Sequence, residues 1–214
     1  MSTGPATNAQ VTAGKDLTVV SGRDASFTGA NVGGDNVYMD VGRNLVVASR
    51  QNESSNSSKG FNFDVTFTPN GGVSSFNLGG SYGYGARKYT DTPTTIIANK
   101  VLDIYTGQTT FLLGAVLNSK TGALKLDTGN FVFDNFNDTE QQKNIAISIG
   151  VDVKNPEKTS LGGSLYYKDK AGLTYATVGA GEIKIRNNPT QNLITLNRDA
   201  ANVQRVVKDQ TIDH

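Results

Sequence analysis

Apolar and polar positions alternate in short bursts along this chain, and near the N-terminus the bursts repeat. Leu17 and Val19 alternate with polar neighbours, a turn follows, and Ala25 and Phe27 form a second burst. About 20 residues later the pattern returns as Val37 and Met39, then Leu45 and Val47. Each burst is entered through Gly-x-Asp or Gly-x-Asn: Gly14-Lys15-Asp16, Gly22-Arg23-Asp24, Gly34-Asp35-Asn36 and Gly42-Arg43-Asn44. Alternation with period two predicts strands, and a unit this short cannot bury its own apolar face. The units must stack, Leu17 over Val37, Val19 over Met39, Ala25 over Leu45 and Phe27 over Val47. The predicted fold is all-β, a right-handed parallel β-helix with coils of about 20 residues.

The pattern then leaves the coil and comes back. Arg50 to Gly60 is polar and rich in Ser and Asn, and reads as a loop. Phe61-Asn62-Phe63-Asp64-Val65-Thr66-Phe67 alternates strictly, Pro69-Asn70-Gly71-Gly72 turns, and Val73 to Tyr84 alternates again. This is an antiparallel β-hairpin excursion over about 61–89. Residues 94–134 resume the coil: Leu112-Leu113-Gly114-Ala115-Val116-Leu117 echoes Phe27-Thr28-Gly29-Ala30-Asn31-Val32. Thr110-Phe111-Leu112-Leu113 is followed 20 residues on by Asn130-Phe131-Val132-Phe133. A second excursion covers about 145–178. It has strands at 145–153, Leu161–Tyr167 and Leu173–Val178, the last two parted by Asp169-Lys170-Ala171-Gly172. Gly181 to Ile185 is a last coil strand. At the end, Leu196, Ala200, Val203 and Val207 fall on one helical stripe, with Asn197 as cap, so a short C-terminal helix is expected over 197–209. The layout is then a disordered or non-native tail at 1–10, a β-helix domain at 11–196 with its two excursions, and the helix.

Composition sharpens this only in places. Of 214 residues, 24 are Gly, and 36% are hydrophobic, which suits turns and a narrow core. Lys and Arg number 20 against 19 Asp and Glu, so global charge makes no case for nucleic acid or an acidic membrane surface. No run of about 18 apolar residues could cross a bilayer as a helix. The polar N-terminus has no apolar segment of a signal peptide. If the protein is exported, the signal is expected to lie outside this chain.

Chemistry is sparse. There is no Cys, and the one His is His214. Most nucleophilic and metal chemistry goes with them, so the chain is read as non-enzymatic, with no catalytic, metal or cofactor-binding residue. Asp134-Asn135-Phe136-Asn137-Asp138 lacks the Gly and terminal Glu of a calcium loop. Gly79-Gly80-Ser81-Tyr82-Gly83-Tyr84-Gly85 lacks the Lys-Ser/Thr of a phosphate loop. Asp16 over Asn36 and Asp24 over Asn44 are read as turn ladders. Tyr82, Tyr84 and Tyr89 on one excursion and Tyr166 and Tyr167 on the other are the candidate binding-surface aromatics, with cross-strand packing as the plainer explanation.

Gly42-Arg43-Asn44-Leu45-Val46-Val47-Ala48-Ser49, then Thr109 to Leu117 with Leu126 to Asp134, then Thr177 to Ile185 and Leu196-Asn197-Arg198-Asp199 share an order with one family. The chain resembles the C-terminal haemagglutinin-repeat region of filamentous-haemagglutinin-like exoproteins. These include the contact-dependent growth inhibition exoproteins of two-partner secretion systems. The resemblance implies a segment of a large secreted protein on the Gram-negative cell surface, extending into the target-cell envelope. It implies adhesion to, or toxin delivery into, neighbouring cells. The partners implied are the target's outer membrane or a surface receptor, and the secreting cell's outer-membrane transporter through the parent protein. No nucleic acid, small-molecule substrate or cofactor is expected. A filament spacer is the first alternative and a carbohydrate-active β-helix enzyme the second. The Gly- and Tyr-rich excursion strands also have the period of membrane-barrel strands.

Overall fold

The computed structural model describes residues 7–214. Its regular structure is strand, apart from a single 3-10 turn at Pro156–Lys158. In chain order the strands are β1 (Ala9–Thr12), β2 (Asp16–Ser21), β3 (Ala25–Thr28), β4 (Ala30–Val41) and β5 (Leu45–Ala48). Then come β6 (Asn52–Phe67), β7 (Val73–Tyr89), β8 (Thr95–Leu113), β9 (Val116–Ser119) and β10 (Ala123–Asp134). The last five are β11 (Phe136–Asp152), β12 (Ser160–Thr174), β13 (Thr177–Val178), β14 (Glu182–Ile185) and β15 (Gln204–Asp213). β1 opens inside the stretch expected to be a tail, and residues 1–6 of that tail lie outside the described residues. The chain divides into two compact units. One holds the residues up to Asn52, Tyr89–Asp138 and Gly172–Val206, and the other holds Glu53–Lys88, Thr139–Ala171 and Val207–His214.

The first unit is a stack of parallel strands with three faces. On one, β1, the start of β4, the start of β8, β9 and β13 lie in succession. On the second, β2, the end of β4, the middle of β8, the start of β10 and β14 do so. β3, β5, the end of β8 and the end of β10 make the third. Every one of these pairings is parallel. The four predicted stacking pairs are all present: Leu17 on Val37, Val19 on Met39, Ala25 on Leu45 and Phe27 on Val47. Inside lie Val37, Met39, Leu45, Val47, Leu102, Ile104, Leu112 and Leu126, all buried. Three threonines join this interior. Thr110 Oγ1 lies 3.0 Å from both the Thr106 and the Thr128 hydroxyls, donating its single proton to one and accepting from the other, so these buried hydroxyls satisfy one another.

Gly29 and Gly114 explain the echo between their segments. Both take a positive φ, 62° and 52°, at the corner between third and first faces, a conformation costly for residues with a Cβ. One register departs from expectation. Phe131 stacks on Thr110, not on Phe111, because residues of β10 follow their partners on β8 by 22 positions up to Thr128 and by 21 from Asn130 onward, where β8 carries an extra residue.

The second unit is one five-stranded sheet in the order β15-β12-β11-β7-β6. β7 and β11 pair antiparallel from Thr139 opposite Lys88 to Asp152 opposite Ser75. Thr68 and Gly72 close the turn between β6 and β7, with Thr68 N donating to Gly72 O at 2.6 Å. Leu165 and His214 exchange backbone hydrogen bonds, which ties β15 to β12.

Three sequence expectations are corrected. The C-terminal helix is not formed: β15 occupies Gln204–Asp213. Asn197 and Asp199 instead fold residues 197–202 into a tight turn, Asn197 Nδ2 donating to Asp199 O and Asn202 O and Asp199 Oδ1 accepting from Ala201 N. The β-branched run Val206-Val207 then favours a strand, and the open edge of β12 supplies its partner. The expected loop at 50–60 is mostly the first half of β6. Its residues are polar on both faces, so alternation carried no signal there. Finally, β12 runs unbroken through Asp169-Lys170-Ala171-Gly172, because pairing with neighbours on both sides outweighs the turn preference of those residues.

Candidate functional site

The two faces of the five-stranded sheet differ in chemistry, and alternation is the reason. On β7, Phe76, Leu78, Tyr82 and Tyr84 point one way; opposite them on β11 are Val151, Ile149, Ile145 and Lys143. The other face carries Asn77, Gly79, Ser81, Gly83 and Gly85 against Gly150, Ser148, Ala146, Asn144 and Gln142. Asn56, Ser58 and Asn62 of β6 lie over Gly85, Gly83 and Gly79, so β6 turns Phe61, Phe63 and Phe67 to the apolar side. Ser160 lies against Gly150 and Ser148 against Gly162, which puts Leu161, Leu165 and Tyr167 on that side too.

The apolar side is open to solvent. Phe61 is 74% exposed, Leu161 78% and Ile147 57%, and Phe63, Phe67, Leu78, Ile149, Tyr82 and Tyr84 are exposed as well. An apolar surface this continuous is uncommon on a protein that meets only water.

Of the five tyrosines singled out in the sequence, Tyr82, Tyr84 and Tyr167 share this face. Tyr166 lies on the opposite, polar face. Tyr89 belongs to the other unit, where its ring packs close to Gly172. The residues that tyrosine-spotting missed are the phenylalanines of β6 and the isoleucines of β11. Their strict alternation was visible, but an apolar alternating face ordinarily turns inward.

Charge collects at one end of the sheet. Glu140 binds Lys168 at 2.8 Å and Arg87 at 3.7 Å, Glu53 binds Lys88 at 3.1 Å, and Lys208 binds Asp169. The hydrogen bond that Lys168 donates to Glu140 raises the Lys168 pKa, and the one Asp169 accepts from Lys208 lowers the Asp169 pKa. Between these pairs and the turns at the other end, Asn144–Val151 of β11 and Ser160–Tyr167 of β12 hold no charged side chain.

The stacked unit was the place to look for clustered carboxylates. Its second face carries outward rows, among them Asp40, Tyr105, Asp127 and Lys184. Asp127 is clasped by Arg186 and by Lys184 at 3.2 Å, and Arg186 lies 4.7 Å over the Tyr105 ring. Burial works to raise the Asp127 pKa, yet the hydrogen bonds from Arg186 and Lys184 prevail and hold it low. A carboxylate so held is a structural ion-pair partner rather than an acid or base. The Asx ladders are likewise satisfied locally: Asn36 donates to Asp16 at 2.7 Å, Asn44 to Asp24 at 3.0 Å, and Arg43 also reaches Asp24.

A parallel stack of short repeats interrupted by an amphipathic sheet defines the class, and comparison gives the family. Residues 2–63 and 52–149 match the Hemagglutinin repeat model, so the chain belongs to that family. Among its relatives, the tRNA nuclease CdiA of Yersinia mollaretii is 34% identical over 206 residues, 90% of this chain and 7% of that protein. The deoxyribonuclease CdiA of Yersinia pseudotuberculosis is 32% identical over 220 residues, 92% of this chain and 20% of that protein. A tRNA nuclease CdiA of Escherichia coli strain NC101 is 30% identical over 218 residues, 91% of this chain and 6% of the relative. The chain therefore spans a small part of the length of these relatives. No solved structure matches it significantly.

Proposed function

We propose that this chain is a non-enzymatic contact segment of a secreted exoprotein, acting at the surface of a neighbouring cell in adhesion or toxin delivery. The observation that carries the reading is the outward apolar face of the five-stranded sheet. Stretches such as Asn144–Val151, at about 3.4 Å per residue, reach roughly 27 Å, close to the ~30 Å apolar thickness of a bilayer. Lys143 and Tyr84 stand opposite each other at one end of that stretch. Aromatic and basic side chains of this kind favour the lipid–water boundary. The outer membrane of the target is thus the favoured partner, with a surface receptor as the other. The transporter of the secreting cell is engaged through the parent protein.

The fold reading that accompanies this is a right-handed parallel β-helix with β6/β7 and β11/β12 as hairpin excursions. The hand follows from the strong preference of parallel crossovers. The excursions fall near 61–89 and 145–178 of a repeat domain that ends at about residue 196. Relatives named for cleaving tRNA and for cleaving DNA both carry the equivalent of this segment. A segment shared by two nuclease types is better suited to delivery than to choosing the nucleic acid.

The test is binding of the intact chain to Gram-negative outer-membrane vesicles, with a variant combining Phe61→Ser, Phe63→Ser, Ile147→Ser and Leu161→Ser. Binding by the native chain and its loss in the variant support the reading. Absence of binding by the native chain, with its fold intact, leaves the spacer reading, which the regular stack of the first unit favours.

A further inference from the structure

One buried polar group in the first unit is used by neither the stack's core nor the proposed contact face. Asp138 is 1% exposed. Its Oδ1 accepts from the Thr90 backbone N–H at 2.7 Å and from Gln51 Nε2 at 3.0 Å. Its Oδ2 accepts from Thr174 Oγ1 at 2.6 Å. All three donors are neutral. Gln51 Nε2 also reaches Asn137 O at 2.8 Å, and Gln204 Nε2 donates to Thr90 O at 2.8 Å and to Thr174 Oγ1 at 2.9 Å.

The sequence positions of these partners give the cluster its meaning. Gln51 immediately precedes β6, and Thr90 immediately follows β7. Asp138 sits in the first residues of β11, Thr174 ends β12 and Gln204 begins β15. Each of the five strands of the second sheet therefore has one stem residue in a single hydrogen-bonded cluster. All five cluster residues belong to the first unit.

We propose that Asp138 is a common anchor for the insertions, a positioning residue that makes the five strand stems hold or open together. A buried carboxylate needs hydrogen bonds to offset its desolvation, and here three neutral donors supply them. Its removal, however, strands three donors at once, because the Thr90 N–H, the Thr174 hydroxyl and the Gln51 amide all turn toward it. Stems far apart in sequence are in this way coupled through one side chain. The coupling is independent of what the apolar face contacts.

Hydrogen exchange followed by mass spectrometry on the intact chain tests this. In Asp138→Ala, exchange should accelerate about tenfold or more at all the stems together, in peptides covering 49–54, 88–92, 172–176 and 203–206. The stacked strands at 36–48 and 101–113 should keep native protection. Asp138→Asn, which retains an oxygen to accept from Thr90 N–H, should show the same pattern at smaller size. It serves as the decisive variant if the alanine form does not fold. Acceleration confined to the neighbourhood of residue 138, uniform acceleration through the stack, or no change would each overturn the proposal.

Discussion

Single side chains in this protein are held by partners one coil away, and the consequences can be measured. Asp127 is the clearest case. Its folded pKa lies below the ordinary value because Arg186 and Lys184 outweigh the burial that works to raise it. A carboxyl with a depressed folded pKa adds stability that is present above its unfolded pKa, about 3.9, and that is lost as pH falls through the folded value. Chemical denaturation from pH 6 to pH 2 should therefore show a smaller acid loss in Asp127→Asn than in the native chain. Equal slopes would remove Asp127 from the account. Gly107 makes a steric prediction. A Cβ there would collide with the carbonyl oxygen of Gly42 on the coil beneath. Gly107→Ala should cost about 1–3 kcal/mol, seen as a lower midpoint in urea, whereas Gly80→Ala, which meets open space, should cost less.

At the scale of elements, the strands whose residues alternate against a neighbouring coil were readable from the sequence alone. The pairs of β2 with β4 and of β3 with β5 fall where the repeat placed them, because each unit needs the next to cover its apolar side. Elements whose identity depends on a distant partner were not readable. Val203 and Val207 fit a helical stripe, but the choice between helix and strand was made by the open edge of β12, which no local pattern reports. The first half of β6 was hidden for a related reason: its Asn and Ser side chains lie over glycines of β7, so neither face is apolar. The same logic hid the candidate surface. The alternation of Phe61, Phe63 and Phe67 was plain, but only the pairing of five strands reveals that the whole side faces solvent. Asp138 drew notice only as the end of a run that fails as a calcium loop; its place among the strand stems had no sequence signal, since its donors come from positions scattered along the chain. If β15 is the strand described, Val206→Pro should disrupt its ladder and lower the protection of Leu165–Thr174 in hydrogen exchange. It should also leave the helical region of the circular dichroism spectrum unchanged, since the described residues form no α-helix. A fall in helical signal would restore the helix.

For the molecule as a whole, two kinds of sheet share the chain. Parallel coils bury their apolar residues inside the stack, while the antiparallel sheet leaves a full apolar side open. The relatives named CdiA extend far beyond the region matched here. On the function proposed above, this segment is the part that meets a surface. The central claim is that one face of the second sheet, and not the other, enters an apolar environment. The absence of cysteine makes it directly testable. Ile147→Cys and Ser148→Cys place one thiol on each face at neighbouring positions of β11. Each variant would carry an environment-sensitive fluorophore and be mixed with outer-membrane vesicles. The account predicts a blue shift and protection from a water-soluble quencher at position 147, with position 148 remaining accessible. Labels that respond alike on both faces, or that stay accessible on both, would contradict it.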